Sequence, residues 1–446
     1  MAIHPIEFRY GTPEMKQIFS EEHRFRCIIE AEVALAKAEG AIGMIPPEDV
    51  KIIEEKAHGA SLQRSKEIED EIHHDMMAVV RAVSEVCGKA GRWIHYGATS
   101  NDILDTATGL QIRDALKILE EKLKKLLIIL LDRAEETRFL VCIGRTHGQH
   151  GVPTTYGLRF TIWASEIGRH IERLEQMRPR VCVGQLTGAV GTQAALGEKG
   201  MEIQEQMMNF LKISSVDVSN QIIQRDRYAE YFCFLANVAT TLDKIGVEVR
   251  SLQRTEIGEV EEAFGARQVG SSTMPHKRNP IKSEQVCGLA RIIRSSVEPA
   301  FQNNTLWDER DLTNSSPERI LFPEATILTD HILKIMISVL EGLNLKEDRI
   351  KQNLAMLHGI NMAESVMIEL TKKGMERQKA HEIIREKSME ALATKQPLSV
   401  LLSKTPEVTS IIPASEIEKL LDPESYIGTS VLQVEKVTKK LRSLYL

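Results

Sequence analysis

The chain has no excess of positive charge. Its 57 Lys and Arg face 63 Asp and Glu, a formal net charge of −6, which excludes the broad basic face that a nucleic-acid partner demands. It has no CxxC pair: Cys27, Cys87, Cys142, Cys182, Cys233 and Cys287 are scattered. That excludes a disulfide framework or a cysteine zinc site and implies reduced thiols in a cytoplasmic protein. Nor is there a long apolar run. Leu126 to Leu131 is the longest, far short of the roughly 20 residues that cross a bilayer, so no membrane partner is expected. Met1-Ala2-Ile3-His4-Pro5 lacks the basic flank and apolar core of a signal peptide. Internal repeats and low-complexity linkers are missing. Strand signals are confined to a short Val181/Val183 alternation, and Gly188-Ala189-Val190-Gly191 lacks the GxGxxG spacing of a dinucleotide site.

What is present is helix. The 446 residues, 42% hydrophobic, are enough for two or three domains. Ile18, Phe25, Ile28, Ile29, Val33 and Leu35 recur at helical spacing between Pro13 and Gly40, and Ile68 to Cys87 reads as a further helix. Leu110 to Phe139 holds neither glycine nor proline and carries leucines at steps of three and four, a helix of about 45 Å. Asp226–Ile257, Ile281–Phe301 and Phe322–Leu343 are comparable candidates. Leu126–Leu131 and Ala236–Ala239 are apolar nearly all round, as in helices covered on every side. An all-α protein is expected, with an N-terminal helical domain over 1–104, a long-helix bundle over 105–350 that oligomerises, and a C-terminal helical domain over 351–446.

The organising stretch is Gly270-Ser271-Ser272-Thr273-Met274-Pro275-His276-Lys277-Arg278-Asn279-Pro280. It packs hydroxyls, an imidazole and cations beside Asn279-Pro280, which reads as an N-cap followed by proline at the first helical position. Such a helix start would aim free N–H groups and a positive dipole end at an anion. Four further clusters carry candidate chemistry: His73-His74-Asp75 near a helix start, His95 through Asp102, Arg145-Thr146-His147-Gly148-Gln149-His150, and Trp307 through Arg319. On a helix His73 and His74 would point about 100° apart, so one faces a site. Arg310 and Arg319, with Ser315 between them, suit bidentate grip of a phosphate. Three classes fit these residues: a lyase removing a proton beside a carboxylate, a metal-dependent phosphohydrolase built on His74-Asp75, and a non-catalytic helical scaffold. No other histidines or acids show ligand spacing for a metal.

The Gly270–Pro280 stretch resembles the signature of the fumarase/aspartase superfamily, and its Met-Pro-His-Lys-Arg-Asn-Pro form is similar to that of the adenylosuccinate lyases and the carboxymuconate cycloisomerases. Arg9-Tyr10, His95-Tyr96-Gly97 with Thr99-Ser100, Gln221 with Gln224-Arg225-Asp226, and Glu309-Arg310-Asp311 with Ser315-Ser316 and Arg319 resemble the former family. His73, where arginine is common, and Leu312-Thr313-Asn314, where Ile-Ser-His is usual, depart from it. The resemblance implies β-elimination of fumarate from a succinylated purine nucleotide or its precursor, with no metal or organic cofactor. It implies Ser271 as base, His147 as acid and His74 in support. Lys277 and Asn279 would stabilise the intermediate. Arg310, Ser315 and Arg319 would hold the phosphate with Arg9 and Tyr10 nearby, and His73, Asp75, His95, Thr99, Ser100, Gln221 and Ser272 would contact the substrate. A homotetramer with shared sites is implied, with Ser271 and His147 on different chains.

Overall fold

The computed structural model describes residues 3–264, 273–274 and 276–446. Ser271 and Ser272, with Gly270 and Pro275 of the organising stretch, lie outside the described residues. The elements that position the site are, in chain order, α1 (Glu21–Ala41), α2 (Leu62–Ile72), α3 (Asp75–Cys87), α4 (Ser100–Glu136), strands β1 (Val141–Thr146) and β2 (Gln149–Thr155), α5 (Tyr156–Val181), α6 (Gly200–Leu211), α7 (Asp226–Leu252), α8 (Ile281–Ser295), α9 (Ser315–Glu341), α10 (Arg377–Thr394) and α11 (Ser430–Tyr445). The fold is all-α. Among the described residues its sheets are two-stranded: the β1–β2 hairpin, a parallel pairing of Val183–Gly184 with Ser214–Ser215, and an antiparallel pairing of Val260–Glu261 with Asn344–Leu345. Among the described residues no helix is long and apolar enough to cross a membrane.

The chain divides into two compact units, each assembled from three stretches: 1–123, 170–242 and 288–334 form the first, and 124–169, 243–287 and 335–446 the second. In the first, α1 begins at Ser20, whose hydroxyl accepts the N–H of His23, and buries Phe25, Ile28, Ile29 and Leu35 in a core that includes Ile203, Met207 and Met208 of α6. Each such side chain contributes about 1.5–3 kcal/mol on burial. In the second, Val366, Ile384, Leu402 and Ile417 form a separate core, and the part of α5 that belongs to it buries Phe160 and Ile167. The apolar spacing of α5 is helical and readable in the sequence, but alternating arginines and acids mask it.

Several boundaries differ from those the spacing predicts. The Pro13–Gly40 helix is broken at Phe19-Ser20, because Ser20 caps a new one. Ile68–Cys87 is two helices, α2 and α3. His73 closes α2 in the left-handed region at φ 53°, and His74 caps α3 by accepting the Met77 N–H at Nδ1, 3.3 Å. The two histidines therefore differ by backbone role rather than by helical phase. The long helix α4 starts ten residues before Leu110, at Ser100. Its start is fixed by Asp102, which accepts the Thr99 N–H at 2.9 Å, the reciprocal half of a capping box.

Gly109, inside α4, allows close approach: a Cβ on it would meet the Val183 carbonyl oxygen at 2.3 Å. Alanine in a helix interior gains about 1 kcal/mol over glycine, but a forced backbone shift costs about 1–3 kcal/mol. Gly109→Ala is therefore expected to lower the thermal unfolding midpoint; a raised midpoint would show the helix moving freely away from the 183–184 strand.

Candidate active site

In the first unit the predicted residues of the Trp307–Arg319 segment stand at the start of α9. Asp311 accepts the N–H groups of Trp307 and Thr313 at 2.8 and 2.7 Å, and these bonds, led by the Thr313 hydroxyl, hold its carboxyl below the usual range. The segment is thereby pinned ahead of the helix. Arg310, Ser315 and Arg319 then line one cavity of about 420 Å³ together with Asp75. Arg319 pairs with Asp75 at 3.0 Å, and Arg310 donates to Gln221 Oε1 at 3.0 Å. Four site residues named far apart in the sequence, Asp75, Gln221, Arg310 and Arg319, thus make two direct contacts. His74 stands beside Asp75. Because its Nδ1 accepts a backbone N–H, its neutral ring carries the proton on Nε2 and presents a donor outward. His73 has its own N–H tied to the Glu69 carbonyl.

Gln221 also donates to the Ala189 carbonyl at 2.9 Å, and the glycine-rich 185–191 stretch is bound to Asp102. That carboxylate accepts N–H groups of Thr187 and Gly188 at 2.8 and 3.1 Å and the Gln185 amide at 3.2 Å. Burial pushes the Asp102 carboxyl up despite these bonds. Asp102 thus anchors a loop, a role the sequence reading of that cluster did not assign to it. Thr99 and Ser100 enter the first turn of α4 through the same carboxylate. His95, at φ 66°, donates its backbone N–H to Glu32 at 2.9 Å and places Nδ1 2.7 Å from the other oxygen. Burial opposes a charge on this ring, but Glu32 and Asp102 outweigh it and hold His95 above its usual pKa. Arg9 lies 6.0 Å over the Tyr10 ring, which packs on His331 at 5.3 Å; among the described residues neither contacts the cluster above.

In the second unit the Arg145–His150 stretch is a hairpin rather than a loop. His147 and Gly148, at φ 53° and 74°, form its two-residue turn, and positive φ at both central positions is the mark of a type I′ turn. His147 is exposed at the tip. Behind it Arg145 reaches Glu259 at 2.5 Å, a carboxylate that also accepts Tyr156 Oη at 2.7 Å and Asn353 Nδ2 at 2.9 Å. Burial pushes the Glu259 carboxyl up, but Arg145, Tyr156 and Asn353 outweigh it and hold it below the usual range. Burial and Arg145 lower His150, against Glu259.

The end of the organising stretch corrects one expectation. Helix α8 starts at Ile281, with Asn279-Pro280 just ahead of it, and its first donors are not free for an anion. Glu262 accepts the N–H groups of Lys282 and Ser283 at 3.3 and 2.8 Å and the Ser283 hydroxyl at 2.5 Å. Arg278 pairs with Glu261, while Lys277 is exposed. Among the described residues no group of three or more His, Cys, Asp or Glu side chains stands ready to hold a metal ion.

Comparison with known proteins adds the following. A family model described as lyase matches residues 7–294, and one described as adenylosuccinate lyase C-terminus matches 359–437. An adenylosuccinate lyase from Methanocaldococcus jannaschii is 51% identical, covering 99% of this chain and 97% of that one. One from Archaeoglobus fulgidus is 52% identical, covering 98% of each. The crystal structure of a 3-carboxy-cis,cis-muconate lactonizing enzyme from Pseudomonas putida superposes with a TM-score of 0.88 at 31% identity, covering 98% of this chain and 99% of that one.

Removing the Glu259 charge while keeping its shape leaves Arg145 unpaired, so Glu259→Gln is expected to destabilise the fold by roughly 3 kcal/mol. Because the folded pKa is depressed, the carboxylate's contribution is complete above its unfolded pKa of about 4.3 and is lost as pH falls through the lower folded value. Thermal unfolding of both proteins should show the gap narrowing at acidic pH; a gap that widens there would overturn the assignment.

Proposed function

The chain belongs to the adenylosuccinate lyase family of the fumarase/aspartase superfamily, and from that premise we propose how its residues carry out the elimination. It is a C–N lyase of purine nucleotide biosynthesis that releases fumarate from adenylosuccinate, giving AMP, and from the succinylated aminoimidazole carboxamide ribotide. The observation that carries this is identity of 51–52% to adenylosuccinate lyases along nearly the whole chain, against 31% to the muconate enzyme that shares the fold. A carboxymuconate cycloisomerase activity is not favoured.

Ser271 takes the Cβ proton of the succinyl group, and the electron pair moves onto the adjacent carboxylate. Lys277 and Asn279 stabilise that developing charge, the largest kind of contribution in such reactions. The C–N bond then breaks, fumarate leaves, and His147 delivers a proton to the departing nitrogen. His74, with its donor on Nε2, binds or supports at the nucleotide side. Arg310, Ser315 and Arg319 hold the phosphate, Arg319 exchanging Asp75 for it; the shared cavity supports this. Arg9, Tyr10, His73, Asp75, His95, Thr99, Ser100, Gln221 and Ser272 complete the contacts.

The protein acts in the cytoplasm as a homotetramer whose sites draw on several subunits. His147 at an exposed hairpin tip supports this, as do apolar side chains left exposed along long helices, among them Ile162, Val247 and Ile292 at 52%, 51% and 46%. The reading of three successive domains, 1–104, 105–350 and 351–446, is supported for the last by its separate core.

Spectrophotometric measurement of fumarate release from adenylosuccinate tests the reaction. Ser271→Ala and His147→Ala should each lower kcat by about 100-fold or more. Dissociated and reassembled together, the two variants should regain a substantial share of wild-type activity, because some mixed sites draw both intact residues. Mixed tetramers without recovery would refute shared sites, and full activity of Ser271→Ala would refute the base.

A further inference from the structure

The cavity that holds Arg310, Ser315 and Arg319 contains another guanidinium, from α1. Arg24 lines it together with Asp105, Thr108 and Gln111 of α4. Its Nη1 donates to Gln111 Oε1 at 3.0 Å and to Thr108 Oγ1 at 3.4 Å. Gln111 is turned to accept by its own amide, which donates to the Ile18 carbonyl at 2.7 Å.

Three of the carboxylates that line the cavity with Arg24 are committed elsewhere. Asp105 is taken by Arg225 at 2.7 and 2.9 Å, Glu318 by Arg225 at 3.0 Å, and Asp75 by Arg319 at 3.0 Å. Among the described residues Arg24 has no carboxylate partner, and its Nε and Nη2 have no acceptor. It is also partly buried. Burial disfavours its charge, and so does Arg319, though Asp105 opposes them. A guanidinium always carries its proton, and a charge withdrawn from water without a partner is costly. Arg24, Arg310 and Arg319 line one cavity, and of the three only Arg319 has a carboxylate partner among the described residues, the arrangement that an entering dianion relieves.

We propose that Arg24 is a further phosphate-binding residue of this site, a guanidinium on the first long helix that meets the phosphomonoester of the nucleotide alongside Arg310 and Arg319. This rests on the reading of Arg310, Ser315 and Arg319 as the phosphate subsite. Thr108 and Gln111 are the positioning residues. They hold one edge of the fork with neutral acceptors and leave the remaining donors to the ligand, so the charge stays available.

The test is inhibition of adenylosuccinate cleavage by AMP, by inorganic phosphate and by adenosine, in wild type, Arg24→Gln, Arg24→Lys and Arg319→Ala. Loss of one charge-assisted contact raises Ki for AMP and for phosphate by about tenfold in Arg24→Gln, with Ki for adenosine within about twofold. Arg24→Lys, which keeps the charge without the fork, lies between, and it carries the test alone if Arg24→Gln does not fold. An equal rise for all three inhibitors would make Arg24 a packing residue and overturn the proposal, as would no rise for any. If Arg319→Ala discriminates between AMP and adenosine and the Arg24 variants do not, the proposal falls alone. If Arg319→Ala does not discriminate either, the phosphate subsite itself falls.

Discussion

The first unit depends on one guanidinium. Arg225, only 2% exposed, bonds both oxygens of Asp105 in α4 and the carboxylate of Glu318 in the first turn of α9. Glu318 in turn accepts from Asn314 at 3.1 Å. Burial opposes the Arg225 charge, yet the two carboxylates hold its pKa above the usual value. Three segments separated by about a hundred residues each are fixed through that side chain. Without it two buried carboxylates would face each other, a loss several times that of a surface ion pair. The cavity of Arg310, Ser315 and Arg319 is placed by this contact, since α9 starts where Glu318 is held.

The second unit uses the same device with the signs reversed. Glu259, fully buried, gathers Arg145, Tyr156 and Asn353, and so braces the strand that leads to His147. In both units the residues proposed to meet substrate are exposed or line a cavity, while the ion pair that fixes their segment is buried behind. Rigid placement here comes from charge compensation over distance more than from local backbone structure.

This division explains what could be read from the sequence. The long helices announce themselves through leucines at steps of three and four, and the Ser271, His147 and Arg310–Arg319 stretches through unusual composition. Asp105, Glu259 and Glu318 announce nothing, because a lone acid in a helix or strand looks the same whether it is solvated or buried opposite an arginine a hundred residues away. Glu262 shows the cost of that blindness. The Asn279-Pro280 pattern placed the start of α8 to within a residue, but not that a carboxylate from another segment already takes its donors. Gly109 is silent for a related reason, its justification being the Val183 carbonyl that presses on it.

The hairpin carrying His147 is also a ruler. Thr146 faces Gln149 and Arg145 faces His150 across it, with one irregularity between Ile143 and Arg145. The two-residue tip has positive φ at both positions, so adding a single residue there would replace the turn type and hand the end position to a neighbour. Length is thus the least negotiable property of this segment.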